Sequence, residues 1–249
     1  MRYVDHFGKK SSDYLQYRPD YPDELYQYLV GLATQHELAW DCGTGNGQAA
    51  GQLSPHFKQV IGSDVNQQQL DVAIKKANVH YYCWPAEKTG LSATTVDLVT
   101  VAQALHWFNL EPFYQEVQRV SKSSGIMAAW CYSLGSINQE IDMVIKKLYT
   151  DILGNGYWPS ERRYIDEQYQ TIYFPFKKME TPQFNIEKKM DFTHVIGYLN
   201  TWSAVKEYQQ VNQDNPIHLI YADLQKVWGE PSTVYTMRWP IHLLVGHVG

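Results

Sequence analysis

Between residues 38 and 132 short apolar runs alternate with stretches of helical period, and the first run ends in Asp41–Cys42–Gly43–Thr44–Gly45–Asn46–Gly47. Few folds satisfy that alternation. Parallel neighbours need a crossover between them, usually a helix, and such crossovers are right-handed, so strands and helices taken in turn build a sheet covered on both faces. The strand candidates are residues 38–42, 59–63, 79–84, 96–102 and 125–131. Between them 47–53, 66–77 and 111–121 read as helices, the last with Pro112 in its first turn, where a missing N–H costs nothing. The expected class is therefore α/β, with a doubly wound sheet.

The flanks are less regular. Residues 1–35 read as an arm, rich in tyrosine (Tyr14, Tyr17, Tyr21, Tyr26 and Tyr28) and running into a helix, and the core sheet as 36–134. A helical insertion is expected over about 135–182, with a helix at 138–153 and a lid-like loop at 154–164. Strands at 183–192 and 234–248, with helices at 193–210 and 217–228, complete one domain spanning 1–249. Charge narrows the partners: 21 basic against 26 acidic side chains leave a net charge of −5, without the basic patch that nucleic acid or an anionic membrane surface requires. A small-molecule substrate is the expectation, and the oligomeric state stays open. No run approaches the roughly 20 apolar residues of a membrane span, and the first residues lack the apolar centre of a signal peptide, so a cytoplasmic location is expected. Cys42, Cys83 and Cys131 lie far apart in apolar surroundings and are expected to be buried and reduced, with no metal site.

The glycine-rich turn carries the chemistry. Glycines at alternate positions let the backbone turn tightly and approach a ligand. Dinucleotides and S-adenosylmethionine both use such a loop, but a pyrophosphate is an anion, whereas the methyl donor carries a sulfonium and an ammonium. Asp41 separates the two, because a carboxylate there repels a pyrophosphate and attracts the cationic methionine end. The dinucleotide fingerprint also asks for Gly or Ala where this chain has Gln48. Asp64, 21 residues beyond Gly43, is suited to accept from both ribose hydroxyls of an adenosine ligand, or alternatively to cap the helix that follows it.

These segments together resemble the class I S-adenosylmethionine-dependent methyltransferases, and within them the small-molecule group that looks like trans-aconitate methyltransferases. The resemblance rests on YLQYRPDYP at 14–22, WDCGTGNGQAA at 40–50, VIGSDVNQQQL at 60–70, PAE at 85–87, VDLVTVAQALHWF at 96–108 and TWSAVKEY at 201–208. It implies a Rossmann-like, seven-stranded mixed sheet of order 3-2-1-4-5-7-6 with strand 7 antiparallel, and S-adenosyl-L-methionine as cofactor. It further implies that Asp41, Gly43 and Gly45 hold the methionine moiety, Asp64 the ribose, and Val65 the adenine face. Ala86 and Glu87 match the strand-3 exit beside adenine, although Pro85 stands where the family often has an Asp. Ala102 and Gln103 match the strand-4 exit beneath the methyl donor, with His106 and Trp107 following it toward the substrate.

His106 is the candidate catalytic residue. An imidazole suits a general base, but a carboxylate acceptor needs none, and shaping the pocket is an equal alternative. Arg18, held between Tyr17 and Pro19, is a candidate for binding the donor's carboxylate or an acidic substrate, against a simple ion pair with Asp20 or Asp23. Trp130, Trp158, Arg162, Arg163 and Arg238 are weaker candidates for the acceptor site, and Trp202 and Trp228 read as core anchors. The activity expected is methyl transfer to a small molecule, with a carboxylate oxygen as acceptor. A nicotinamide-dependent oxidoreductase and a non-catalytic S-adenosylmethionine-binding protein are the alternatives.

Overall fold

Five strands follow one another in the expected order in the computed structural model, which describes Tyr17 and residues 19–249. They are β1 (Leu38–Cys42), β2 (Gln59–Asp64), β3 (Val79–Cys83), β4 (Val96–Ala102) and β5 (Ser121–Tyr132). All their mutual pairings are parallel. β1, β2 and β4 are buried almost end to end, as a sheet covered on both faces demands, whereas β3 alternates outward as an exposed edge. Three further strands are β6 (Lys177–Lys178), β7 (Phe184–Met190) and β8 (Tyr235–His247). β8 runs antiparallel to β5, pairing Ile126 with His247 and Tyr132 with Ile241. The sheet order is β3-β2-β1-β4-β5-β8-β6, with β7 also paired to β8. The expected order holds once β7 and β8 are read as its strands 6 and 7. The eighth strand, β6, was not expected: two exposed lysines carry no alternation, and only their pairing with β8 makes them a strand.

The helices beside this sheet are α1 (Asp23–Leu32), α2 (Gln48–Leu53), α3 (Gln67–Asp71) and α4 (Leu110–Val120). α4 turns Phe113, Tyr114, Val117 and Val120 inward at helical spacing, and the burial of each such apolar side chain stabilises the fold by roughly 1.5–3 kcal/mol. α3 stops six residues before the expected end at 77. Asn66 caps its start, accepting from Gln68 N and Gln69 N. Beyond Asp71 the backbone of Ile74 is claimed elsewhere: its N–H donates to Asn46 O and its carbonyl accepts from Tyr81 Oη, which competes with continuing the helix.

The described residues fall into two compact units. One consists of residues 20–133, 163–184 and 241–249 and contains β1–β5, α1–α4 and the glycine-rich turn. The other consists of 134–162 and 185–240, with the described residues before Asp20. In it α5 (Gln139–Lys146) continues as a π-helical turn (Lys147–Ile152). α7 (Phe192–Asn200), α8 (Ser203–Asn212) and α9 (His218–Trp228) follow, α6 (Arg162–Asp166) lying at the boundary. The single helix expected over 193–210 is broken at Trp202, whose backbone is extended and whose ring is buried edge-on to Tyr149 and Tyr198. Trp202 and Trp228 are both buried, as core anchors should be.

Candidate functional site

Asp41 sits within β1 with its carboxylate facing into the protein. Its Oδ2 accepts from Thr44 Oγ1 at 2.5 Å and from Ala50 N at 3.1 Å, and its Oδ1 accepts from Thr100 Oγ1 at 2.8 Å. One side chain thus ties together β1, the glycine-rich turn, α2 and β4. Burial pushes its pKa up to about 6, against the hydrogen bonds from Thr44, Thr100 and Ala50, with the nearby charge of Asp64 adding to the rise. These three internal donors hold the carboxylate in place behind the turn. None of the donors is a cation.

Two glycines of the turn meet different surroundings among the described residues. Gly43 has φ +68°, and a Cβ there would lie 2.6 Å from Ala104 Cβ and 3.0 Å from Phe108 Cζ, so its glycine is required by close packing against the β4 exit. Gly45 has φ +54°, and a Cβ there would meet nothing within 4 Å among the described residues. Its N–H donates to Asp64 Oδ2 at 2.9 Å, while Asp64 Oδ1 accepts from Asn66 N at 2.8 Å. Asp64 therefore joins the β2 exit to the turn, and the helix-capping role weighed for it belongs to Asn66. Burial raises the Asp64 pKa, with the backbone N–H groups of Asn66, Gly45 and Val65 opposing. Next to it Val65 is 49% exposed, an apolar side chain standing in the open beside a carboxylate.

At the β3 exit Ala86 is buried and Glu87 Oε1 accepts from Asn109 N at 2.9 Å. At the β4 exit Ala102 is half-buried, and Gln103 adopts φ +56°, a strained conformation for a residue with a side chain. Gln103 N donates to Trp130 O, and its side-chain Oε1 is buried without a partner among the described residues. An orphaned buried acceptor costs about 1–3 kcal/mol unless a ligand donor or a water satisfies it. This acceptor, the bare backbone at Gly45 and the carboxylate of Asp64 fit an adenosyl ligand with an ammonium at one end.

His106 lies three residues further on, in the turn Leu105–Trp107, with Nδ1 2.9 Å from Tyr169 Oη. Tyr169 escaped sequence reasoning: it lies 63 residues away in a segment without a motif. Arg18 and Tyr14 fall outside the described residues. Trp130, a weak candidate for the acceptor site, is a core residue in β5. Cys83 corrects an expectation, since it is exposed at the end of the edge strand while Cys42 and Cys131 are buried. In the other unit Arg162 lies over the rings of Trp158 and Tyr149, and Arg238 pairs with Glu187 at 2.7 Å. Arg163 lies over the ring of Tyr164. No helix of the described residues is long and apolar enough to cross a membrane.

Residues 40–129 match the family model of a methyltransferase domain. A Dictyostelium discoideum protein described as a methyltransferase is 34% identical over 250 residues, covering 98% of this chain and 95% of its own. The malonyl-[acyl-carrier protein] O-methyltransferase of a Marinomonas species is 28% identical over 201 residues, 73% of this chain and 74% of its own. A solved structure from Anaeromyxobacter dehalogenans, described as a type II methyltransferase, matches with a TM-score of 0.87 at 36% identity, covering 93% of this chain and 98% of its own.

Proposed function

The chain belongs to the S-adenosylmethionine-dependent methyltransferases, and from that premise we propose that it methylates a small molecule on a carboxylate oxygen. The observation that carries the cofactor side is the buried Asp41 carboxylate behind the glycine-rich turn, hydrogen-bonded only by neutral groups among the described residues. An anion of this kind favours a cationic ligand and opposes a pyrophosphate. The comparisons favour neither the nicotinamide-dependent nor the non-catalytic alternative. The carboxylate acceptor is supported by the resemblance to trans-aconitate methyltransferases and by one relative whose name is that of an O-methyltransferase acting on a malonyl group.

In this reading each residue has a task. Gly43 and Gly45 keep the turn close to the methionine moiety, and Asp41 supplies the opposing charge. Asp64 accepts from the ribose hydroxyls with the lone pairs that its backbone donors leave it. Val65 covers one adenine face, with Ala86 and Glu87 bordering its edge. Ala102 and Gln103 lie beneath the donor, Gln103 Oε1 accepting from the ammonium. Arg18 binds a carboxylate from the arm, and His106 faces the acceptor. When bound, S-adenosylmethionine supplies an electrophilic methyl group, which a carboxylate accepts without releasing a proton, so alignment and exclusion of water are the protein's main contributions.

Asp64→Ala is expected to weaken S-adenosylmethionine and its demethylated product alike, by about tenfold or more, because both carry the ribose and the hydrogen bonds are charge-assisted. Equal loss for both ligands in calorimetry is the signature; an unchanged affinity removes Asp64 from the site. The acceptor is tested by transfer of a labelled methyl group to a panel of small mono- and dicarboxylic acids, amines and alcohols. Label recovered as a base-labile ester supports the reading, and label found only on nitrogen contradicts it.

A further inference from the structure

Three buried polar atoms without a hydrogen-bond partner gather on one side of the sheet. Among the described residues four buried side-chain atoms have none: Tyr26 Oη, Gln103 Oε1, Trp130 Nε1 and, at the opposite end of β5, Ser121 Oγ. Alternation along the strands places the first three together. Asp41 stands opposite Thr100, Thr100 opposite Ala128 and Ala102 opposite Trp130, and residues two apart share a face, so Trp130 points to the same side as Asp41. From α1 the Tyr26 ring meets the Trp130 indole edge-on, with centroids 6.3 Å apart. Gln103, just past β4, is tied to the same place by its backbone N–H, which donates to Trp130 O at 2.8 Å.

The three atoms differ in what they lack. An indole N–H can only donate, and the side-chain oxygen of Gln103 can only accept. The phenol does both, and it keeps its proton: burial pushes the Tyr26 pKa well above its usual value, and the charges of Asp41, Asp20 and Asp23 add to the rise. Both rings are sealed from solvent, Tyr26 being 2% exposed and Trp130 0%. Native proteins rarely leave such groups unpaired, because each forfeits the bonds it made with water. A molecule that satisfies all three must offer an acceptor to the two donors and a donor to Gln103. The α-amino-acid end of S-adenosylmethionine carries both, a carboxylate and an ammonium on one carbon.

We infer that Trp130 Nε1–H and Tyr26 O–H donate to the α-carboxylate of the methyl donor, on the ligand whose ammonium Gln103 Oε1 accepts from. This inference rests on the methyltransferase reading and adds to it two binding residues that the glycine-rich turn does not mark. Both side chains are neutral, so the carboxylate is held by oriented donors away from water, where a hydrogen bond to a charged group is stronger than one between neutral groups. Trp130 is thus a core residue with one working edge: its ring packs against Tyr21 and Tyr26, and its N–H serves the ligand.

The test is calorimetry with two ligands: S-adenosylhomocysteine, which carries the amino-acid end, and 5′-methylthioadenosine, which shares the adenosine and the sulfur but lacks that end. Tyr26→Phe and Trp130→Phe are each expected to weaken S-adenosylhomocysteine by about tenfold, while 5′-methylthioadenosine stays within about twofold of the wild type. Thermal unfolding of the unliganded protein gives a second readout. Tyr26→Phe removes an unpaired buried hydroxyl and keeps the ring, so it should melt no lower than the wild type. Equal losses for both ligands, or no loss for either, overturn the inference. A lower melting temperature for Tyr26→Phe also overturns it, since the hydroxyl would then serve the fold through an enclosed water. Should Trp130→Phe fail to fold, Tyr26→Phe decides alone. If neither ligand binds the wild type, the methyltransferase site itself fails, a result distinct from wild-type binding that the two substitutions leave unchanged.

Discussion

Asp41→Asn is expected to weaken S-adenosylmethionine binding at neutral pH by about tenfold to a hundredfold, while leaving the fold as stable as the wild type or more so. Removing one opposing charge across the turn forfeits on the order of 2 kcal/mol of Coulomb attraction at an effective dielectric of about 20, and each 1.4 kcal/mol is about tenfold in affinity. Stability moves the other way. The folded-state pKa of Asp41 is raised from 3.8 to about 6, so in that window the native protein holds a proton that the unfolded chain has released. Stability is therefore lost as pH rises through it, by at most about 3 kcal/mol once the carboxylate is fully ionised. Asparagine avoids that cost and can still accept from Thr44 and Ala50 while donating to Thr100. Binding has the opposite pH dependence: below about pH 6 the wild type should lose affinity toward tenfold per unit as Asp41 takes up its proton, and Asp41→Asn should be flatter. Calorimetry and thermal unfolding across pH measure both arms; a variant that loses stability without losing affinity assigns Asp41 to the fold alone.

Gly43→Ala and Gly45→Ala should separate folding from binding within one turn. At Gly43 the added Cβ would collide with Ala104 at 2.6 Å and crowd Phe108, in addition to the cost of a positive φ. A penalty of about 2–4 kcal/mol is expected, which for a chain of this size lowers the melting temperature by roughly 5–15 °C. At Gly45 an added Cβ meets nothing within 4 Å among the described residues, so the positive φ, about 1 kcal/mol, is the expected folding penalty and melting should fall by only a few degrees. The new methyl group would stand where the proposed ligand lies against that backbone, and S-adenosylmethionine affinity should fall by more than about tenfold. Thermal unfolding and calorimetry on both variants check the contrast. Similar melting losses with binding intact at Gly45→Ala would mean that no ligand lies against that glycine.

The parts of this molecule that were legible in the sequence are those fixed by short-range physics. β1, β2 and β4 are covered on both faces and read as continuous apolar runs; the turn after β1 must be glycine-rich, and an acidic residue at the β2 exit can be counted from it. What escaped depends on partners distant in sequence. β6 is a strand only because β8 lies beside it. α3 ends early because Asn46 and Tyr81 claim the backbone of Ile74. The orphaned oxygen of Gln103 and the phenol facing His106 are consequences of packing, and neither residue type nor spacing announces them. Asp41 is the instructive intermediate case: its type and place were readable, but the inward turn of its carboxylate toward Thr44, Thr100 and Ala50 was not.

Calorimetric titration of the full chain at neutral pH with S-adenosylmethionine, its demethylated product and NADH tests the central claim most directly. Saturable binding of the first two and none of NADH is the predicted result. Preferential uptake of NADH, or no heat with either sulfur ligand, would contradict it.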